Sequence, residues 1–228
     1  MTCRASFPIL IAACAILVPA LSSEHLAAGQ SAGTKALMTP ESLTEQAPPE
    51  FKVNLDTSKG AVVIQVHRDW APNATDRFYN LVKNGYYNEN RFFRVVPGFL
   101  VQFGIHPDPE VWGKWRTFGM KEDPPTSQTK RYMKPGYVAF TSAGLNRKNP
   151  QVFISLEDDK VNRWGIQVAP FGEITSGMNL VERVYAGYGD MAPGGNGPSL
   201  NGLQMEGNAY LIKEFPQLDY IKTATIQK

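Results

Sequence analysis

The sequence predicts a mainly β fold, in which several short strands form a closed or nearly closed barrel accompanied by two helices. Three observations lead to this prediction. Short apolar segments alternate with clusters of proline, glycine and asparagine along most of the chain after residue 50. Only two segments carry the spacing of an amphipathic helix. Strands and helices do not alternate regularly, which disfavours a parallel sheet.

Bulk composition is that of an ordinary globular protein. Of the 228 residues, 43% are hydrophobic and 19% are charged, and the formal net charge is +2 at pH 7. These values disfavour both an intrinsically disordered chain and a polytopic membrane protein. The charged residues form no run of five like charges, so nothing predicts a nucleic-acid partner.

Residues 1–22 have the pattern of a signal peptide for export. Arg4 supplies a positive start, the segment Phe7–Leu21 carries no charge, and Ala20 and Ser22 provide small residues before a cleavage site. The apolar segment is shorter than the roughly 20 residues that span a bilayer. We therefore expect an exported protein, periplasmic or secreted, without stable membrane insertion after cleavage. Lipoprotein anchoring at Cys14 is a second interpretation of the same segment.

Residues 23–50 are rich in Ser, Ala, Gly, Thr, Pro and Gln and show little hydrophobic periodicity, which predicts a flexible linker. One folded domain is then expected over residues 51–228. Alternation predicts its first two strands at Phe51–Leu55 and Ala61–Val66.

A helix is predicted to begin at Pro72, because Phe78, Leu81 and Val82 are spaced for one helical face, and Asn84-Gly85 ends it. A second helix is predicted at Met178–Tyr185. Further strands are predicted at Arg91–Val96, Phe99–Phe103, Gly136–Thr141, Gln151–Leu156 and Val168–Ile174.

The sequence contains no convincing motif for a metal site or for a dinucleotide cofactor. The histidines, His25, His67 and His106, lie far apart and have no metal-binding spacing. The glycine-rich stretch at residues 187–197 follows a predicted helix instead of opening one, so it does not fit a dinucleotide fingerprint. The sequence predicts neither a metal nor a cofactor.

One charged residue is embedded in the apolar segment 92–104, FFRVVPGFLVQFG. Burying an unpaired guanidinium is prohibitive, so Arg94 must be paired or must point into a cleft. A strand-end arginine that extends to water beside core residues is the plainer interpretation. Pro97-Gly98 breaks the strand, so that Arg94 and Gln102 could reach one surface.

This segment resembles the FHRxxPGFMxQGG region of the cyclophilin-type peptidyl-prolyl cis-trans isomerases. Residues 136–154 similarly resemble that family's GxxxMANAGxNxxxSQFFI run, and residues 170–181 its VFGxVxxGMxxV run. The resemblance covers about residues 51–187 and resumes at Ile221–Ile226. It implies an eight-stranded antiparallel barrel capped by two helices.

The resemblance also implies two groups of site residues. Those that take part in catalysis are Arg94, Phe99, Gln102 and Phe153. Those that bind the substrate are Leu100, Thr141, Ser142, Gln151 and Trp164. Val161 is a second candidate, beside Trp164, for the aromatic residue of the family's drug-binding loop.

The chain departs from the family pattern at several positions. Phe93 replaces the histidine before the arginine, Phe103 replaces the first glycine after the glutamine, and Val168 stands near a common pocket histidine. An insertion between Tyr188 and Leu218 is expected to form a surface loop and a short helix, with no function that the sequence reveals.

The resemblance implies a prolyl isomerase that needs no nucleophile or cofactor. Together with the signal-peptide pattern of residues 1–22, it predicts an enzyme that assists the folding of exported proteins. Its expected partners are proline-containing peptides and unfolded or folding proteins, and a lone barrel of modest charge predicts a monomer. Two alternatives stay open. One is a proline-peptide binding module of the same fold with little turnover, and the other is a barrel that binds small molecules.

Overall fold

A computed structural model of the protein describes Met1 and residues 35–123, 132–142, 148–159 and 168–227. The predicted cleavage site, the first part of the predicted linker and Trp164 lie outside the described residues. No helix within the described ranges is long and apolar enough to cross a membrane.

Within the described ranges the main sheet has nine strands, and every neighbouring pair in it is antiparallel. The strands are β1 (Glu50–Thr57), β2 (Gly60–His67), β3 (Asn90–Arg91), β4 (Arg94–Val96), β5 (Leu100–Phe103), β6 (Tyr137–Ser142), β7 (Lys148–Ser155), β8 (Pro170–Ser176) and β11 (Tyr220–Gln227). Their order across the sheet is β3-β11-β1-β2-β8-β6-β7-β5-β4. The mainly β prediction is confirmed.

The two strands at the ends of this order, β3 and β4, are joined by only two residues, Phe92 and Phe93. Such a short link requires the two ends of the sheet to lie close together, so the sheet curls into a barrel-like layer. The same link explains why there are nine strands instead of the expected eight. The single strand predicted at Arg91–Val96 is divided into β3 and β4.

Five α-helices lie in the described ranges: α1 (Pro72–Lys83), α2 (Pro109–Thr117), α3 (Met178–Val181), α4 (Leu200–Glu206) and α5 (Asn208–Glu214). Helix α1 has its predicted bounds to within one residue. Helix α3 is shorter than the predicted Met178–Tyr185, and the backbone N–H of Tyr185 donates to the Asp219 carboxylate instead of continuing a helix (2.7 Å). The insertion contains α4, α5 and a short parallel ladder of β9 (Met191–Ala192) with β10 (Gly197–Ser199).

The main core is formed by buried residues of the sheet strands together with residues of α1, α2 and α3. Alternate residues of the strands face it, as the period of a β-strand requires. Part of the predicted linker also belongs to this packed body. Leu37 is 1% exposed, and its carbonyl accepts a hydrogen bond from the Trp115 indole N–H (2.8 Å). Described residues before Phe51, such as Leu37 and Ala47, are therefore already packed against the body of the domain.

A second, smaller core lies beside the first, and we call it the insertion core. Its buried members come from α2, α4, α5 and the adjoining links: Phe93, Ile105, Trp112, Leu203, Leu211 and Leu218. Helix α2, which the sequence analysis did not predict, contributes to both cores, with Trp112 in the insertion core and Trp115 in the main core. The insertion is thus packed onto the body of the domain.

Candidate active site

The hairpin of β4 and β5 positions the predicted catalytic arginine. Pro97 and Gly98 form its turn, in which Gly98 has a φ of +71° and the Phe99 N–H donates to the Val96 carbonyl (3.0 Å). Proline followed by a residue of positive φ is typical of a type II turn. The resulting register sets Arg94 directly opposite Gln102.

The register extends this pairing across four strands. Arg94 of β4 is opposite Gln102 of β5, Gln102 is opposite Phe153 of β7, and Phe153 is opposite Ala139 of β6. Residues in such a row point to the same face of a sheet, as do residues two positions away along each strand. Leu100 and Gln151 therefore share the face of Arg94, and we call this face the site face.

Polar side chains form a continuous hydrogen-bonded chain on the site face. Arg94 Nη1 donates to Gln102 Oε1 (3.2 Å), and Gln102 Nε2 donates to Gln151 Oε1 (2.7 Å). Both glutamines are buried, at 5% and 8% exposure. Each therefore has a fixed orientation, because a buried amide must keep its partners. Buried glutamines thus orient one edge of the guanidinium.

An apolar cluster adjoins this polar chain. Its buried members are Leu100, Met133, Ala139, Phe153 and Val168, and Phe99 and Tyr137 pack against it. The opposite face of the same strands carries main-core residues such as Val101 and Val152, so the period of two separates the cluster from the core. The Arg94 guanidinium carbon lies 5.7 Å from the centre of the half-buried Phe99 ring. Its partly exposed members, Phe99 and Tyr137, are the part of the cluster that a ligand could reach.

The structure adds a charged residue that the sequence analysis did not single out. Arg94 Nε and Nη2 donate to the two carboxylate oxygens of Asp190 at 2.6 and 3.1 Å. The hydrogen bonds from Arg94 hold the pKa of Asp190 below its ordinary value, and the backbone N–H of Met191 acts in the same direction. No local signal could have identified this residue, since Asp190 is far from Arg94 in sequence and lies in a glycine-rich loop.

The remaining predicted residues lie on or beyond β6. Thr141 is half-buried near the end of β6, at a shift in register between Phe140 and Ser142. Ser142 is the last residue of that strand, and its side chain is outside what the structure describes. Trp164 also lies outside the described residues. The predicted roles of these three residues stay predictions.

The described residues contain no group of three or more His, Cys, Asp or Glu side chains placed to hold a metal ion. His67 lies on β2 between Glu50 and Glu173, with its ring stacked on Trp70 at 4.4 Å. His106 follows β5 and packs against the Tyr86 ring. The chemistry of the site face is therefore that of a cation, two amides and an apolar cluster.

A sequence model of the family described as "Cyclophilin type peptidyl-prolyl cis-trans isomerase/CLD" matches residues 52–198. The chain belongs to this family. The matched range contains every described residue of the site face, as well as Asp190, and stops before α4 and α5. The predicted family resemblance is thereby confirmed.

Two named relatives each match more than half of the chain. It is 32% identical over 135 residues to the peptidyl-prolyl cis-trans isomerase ppi1 of Schizosaccharomyces pombe, covering 58% of this chain and 83% of that protein. It is 28% identical over 138 residues to the isomerase cypE of Dictyostelium discoideum, covering 60% of this chain and 86% of that protein.

Solved structures support the fold. A cyclophilin-type isomerase of Cryptosporidium parvum matches with a TM-score of 0.53 and 19% identity, covering 78% of this chain and 98% of that one. The same protein in the presence of the dipeptide Ala-Pro matches with a TM-score of 0.52 and 20% identity, covering 78% and 99%. This cyclophilin-type chain therefore shares the family's fold as well as its sequence pattern.

Proposed function

We propose that this cyclophilin-type isomerase rotates X-Pro peptide bonds on the site face and assists the folding of exported proteins. The observation that carries the proposal is the row of residues across β4, β5 and β7. It places the Arg94 guanidinium, the Gln102 and Gln151 amides and the apolar cluster around Phe153 on one face.

The reaction explains why these residue types suffice. The barrier to rotation about a peptide bond is about 18–20 kcal/mol and arises from amide resonance. No covalent bond breaks during the rotation, so the site needs no nucleophile. The prolyl nitrogen becomes more basic as conjugation is lost, so a cationic donor aimed at it stabilises the transition state more than the ground state.

Arg94 retains hydrogen-bonding capacity for that task. A guanidinium has five N–H donors, and the bonds to Asp190 and Gln102 use three of them. The other two make no hydrogen bond to the described residues. Since the Arg94 side chain is 24% exposed, they are free to meet a substrate that lies on the apolar cluster.

One donor alone does not provide the required stabilisation. An acceleration of about 10⁵-fold requires about 7 kcal/mol. A hydrogen bond from a charged group contributes about 1.5–3 kcal/mol. The apolar cluster must therefore hold the proline ring, and the flanking backbone must be fixed as well. We assign the second task to the end of β6, at Thr141 and Ser142.

Two of the three sequence departures, Phe93 and Phe103, do not favour a binding module without turnover. Phe93 is 1% exposed in the insertion core, and Phe103 is fully buried in the main core with its ring 5.5 Å from that of Tyr87. Packing therefore accounts for both aromatic residues, and the site face keeps its arginine and glutamines.

The proposed clients, exported proteins, rest on the signal-peptide pattern of residues 1–22 alone. Fractionation of the producing cells, with mass spectrometry of the protein's N-terminus, tests this part. We expect the extracytoplasmic form to begin near Ser23. An unprocessed protein retained in the cytoplasm would contradict it.

Exchange spectroscopy on a peptide that contains Ala-Pro tests the activity, because it detects binding and cis/trans exchange together. We expect Arg94→Ala to lower the catalysed exchange rate at least tenfold with an unchanged fold. Arg68→Ala is the matched control, since Arg68 forms a similar carboxylate pair with Asp76 on α1 (2.8 and 2.9 Å).

The possible results distinguish an isomerase that depends on Arg94 from a proline-binding module. Exchange that falls with Arg94→Ala but not with Arg68→Ala supports the proposal. Near wild-type exchange in the Arg94 variant would refute the assigned role of Arg94. Peptide binding without exchange in the wild-type protein would identify a proline-binding module instead.

A further inference from the structure

The insertion contributes directly to the site. Its first residues run beside β4, where the Val95 N–H donates to the Gly189 carbonyl (3.3 Å). The next residue, Asp190, meets the guanidinium of Arg94 with both carboxylate oxygens. A segment for which the sequence suggested only packing therefore contacts the proposed catalytic arginine.

We propose that Asp190 is a positioning residue that holds the Nε and Nη2 edge of Arg94, so that the Nη1 edge faces Gln102 and the substrate. The inference rests on the proposed function, because it assigns Asp190 a task only if Arg94 acts in catalysis. An arginine side chain has many rotamers, and a donor that is fixed before the substrate arrives avoids ordering during the reaction. A paired carboxylate and guanidinium have the planar geometry for this constraint.

The loop around Asp190 is built to keep the carboxylate in place. Asp190 Oδ1 also accepts the Met191 backbone N–H (2.7 Å), and its carbonyl accepts the Gly197 N–H (2.8 Å). A Cβ atom on Gly195 or Gly197 would lie 2.4 or 2.7 Å from the Asp190 carbonyl oxygen. Only glycine allows this close approach. The glycine turn of the loop is therefore in direct contact with the backbone of Asp190.

A carboxylate beside a cationic donor has two opposing effects. It orders the guanidinium, and it also reduces the positive potential at the substrate. Asp190 contacts the edge away from Gln102, and its side chain is 43% exposed, so water screens part of its charge. We therefore expect ordering to outweigh charge reduction.

The experiment uses the full chain with Asp190→Asn, alone and in combination with Arg94→Ala. We expect Asp190→Asn to lower the exchange rate at saturating Ala-Pro peptide about three- to tenfold, because one of several contacts that order Arg94 is weakened. The peptide dissociation constant should change less than about twofold. In the Arg94→Ala background, Asp190→Asn should have no further effect, since there is no arginine to position.

A spectroscopic signal gives a readout that does not depend on turnover. The Nε–H resonance of Arg94 is identified in ¹⁵N spectra by its loss in Arg94→Ala. We expect it to be shifted in the wild-type protein by its bond to Asp190, and to broaden or move towards the position of a free arginine in Asp190→Asn. Asp76→Asn is the matched control, because it weakens the similar pair with Arg68 and should leave exchange unchanged.

Each result decides a separate question. An unchanged or faster exchange rate in Asp190→Asn would overturn the inference while Arg94→Ala remains impaired. An equal loss of exchange with and without Arg94 would also overturn it, because Asp190 would then act through the fold. If Arg94→Ala itself retains exchange, the proposed function of Arg94 fails and the inference fails with it.

Discussion

Phe93 offers a direct test of how the insertion has changed the site's surroundings. It stands where the family pattern has a histidine, immediately before Arg94, and its side chain is 1% exposed in the insertion core. If packing against α2, α4 and α5 explains this residue, then restoring the histidine must destabilise the protein. We therefore predict that Phe93→His lowers the free energy of unfolding substantially and in a pH-dependent way.

The size of the effect follows from the burial of the side chain. Removing a fully buried aromatic side chain from an apolar site forfeits about 1.5–3 kcal/mol of transfer free energy. Burying an imidazole without a hydrogen-bond partner adds about 1–3 kcal/mol. The sum is roughly 2.5–6 kcal/mol at pH 8, where the imidazole is neutral.

Below pH 6.5 the loss must grow. A histidine buried in an apolar core stays neutral, whereas the same residue in the unfolded chain binds a proton. The unfolded state then binds more protons than the folded state, so stability falls by about 1.4 kcal/mol for each pH unit below about 6.5. A small domain has only about 5–15 kcal/mol of stability in total, so the variant should be only marginally stable near pH 5.5.

Urea unfolding of the wild-type protein and of Phe93→His at pH 8 and pH 5.5 measures both effects. Phe93→Leu is the control, because it keeps an apolar side chain and should cost about 1–1.5 kcal/mol at both pH values. A Phe93→His variant that stays within about 1 kcal/mol of wild type, with no pH dependence beyond that of wild type, would refute the argument from packing.

The remaining predictions concern the links that follow β5. Burial lowers the pKa of His106 to about 4, so the unfolded chain binds the extra proton and stability is lost as the pH falls from about 6.5 to about 4. Because the ring is only partly buried, we expect this loss to be on the order of 2 kcal/mol. His106→Asn should remove this loss. Urea unfolding of wild type and variant measures the free energy of unfolding at pH 7 and at pH 4.5. If the variant loses as much stability between the two pH values as the wild type does, the assignment to His106 is wrong. Gly104 has a φ of +107°, and a Cβ there would lie 2.4 Å from the Pro150 carbonyl oxygen. Gly104→Ala should therefore destabilise the protein by at least about 2 kcal/mol, whereas Gly98→Ala, whose Cβ meets nothing within 4 Å, should cost about 1 kcal/mol in the same unfolding assay. Equal losses would show that the close approach of the backbone is not the cause.

Elements with a local pattern were predictable from the sequence. Strands β1 and β2 alternate apolar and polar residues, and α1 begins with a proline and presents one apolar face, so each is specified by its own residues. Helix α2 also has a local signal that the sequence analysis did not use. Asp108 caps it through a bond from the Glu110 N–H (2.8 Å), and a proline occupies its first turn.

Features that depend on distant contacts were not predictable in this way. Residues 35–49 show no periodicity, and they are ordered by partners elsewhere in the chain. Leu37 binds the Trp115 indole, and the Ala47 N–H donates to Asp76 (2.9 Å). The division of one predicted strand into β3 and β4 likewise follows from the curvature of the whole sheet, which no short segment encodes.

In the predicted site, too, contacts within one hairpin were predictable and contacts between distant strands were not. Arg94 and Gln102 belong to one hairpin, so their pairing follows from the Pro97-Gly98 turn. Gln151 comes from a third strand, and its bond to Gln102 depends on the register between β5 and β7. The family resemblance identified Gln151 as a site residue, but the bond between the two glutamines became visible only in the structure.

The substitution at Phe93 and the contact at Asp190 are two consequences of one insertion. Phe93 and Arg94 are consecutive, and the insertion binds both of them, the first through the insertion core and the second through a carboxylate. Salt does not screen an apolar contact, whereas it weakens the partly exposed ion pair by screening its charges. The insertion therefore anchors the start of β4 by packing against Phe93, and it orients the Arg94 guanidinium separately through the Asp190 carboxylate. A change at Asp190 should for that reason lower the exchange rate more than it lowers the free energy of unfolding.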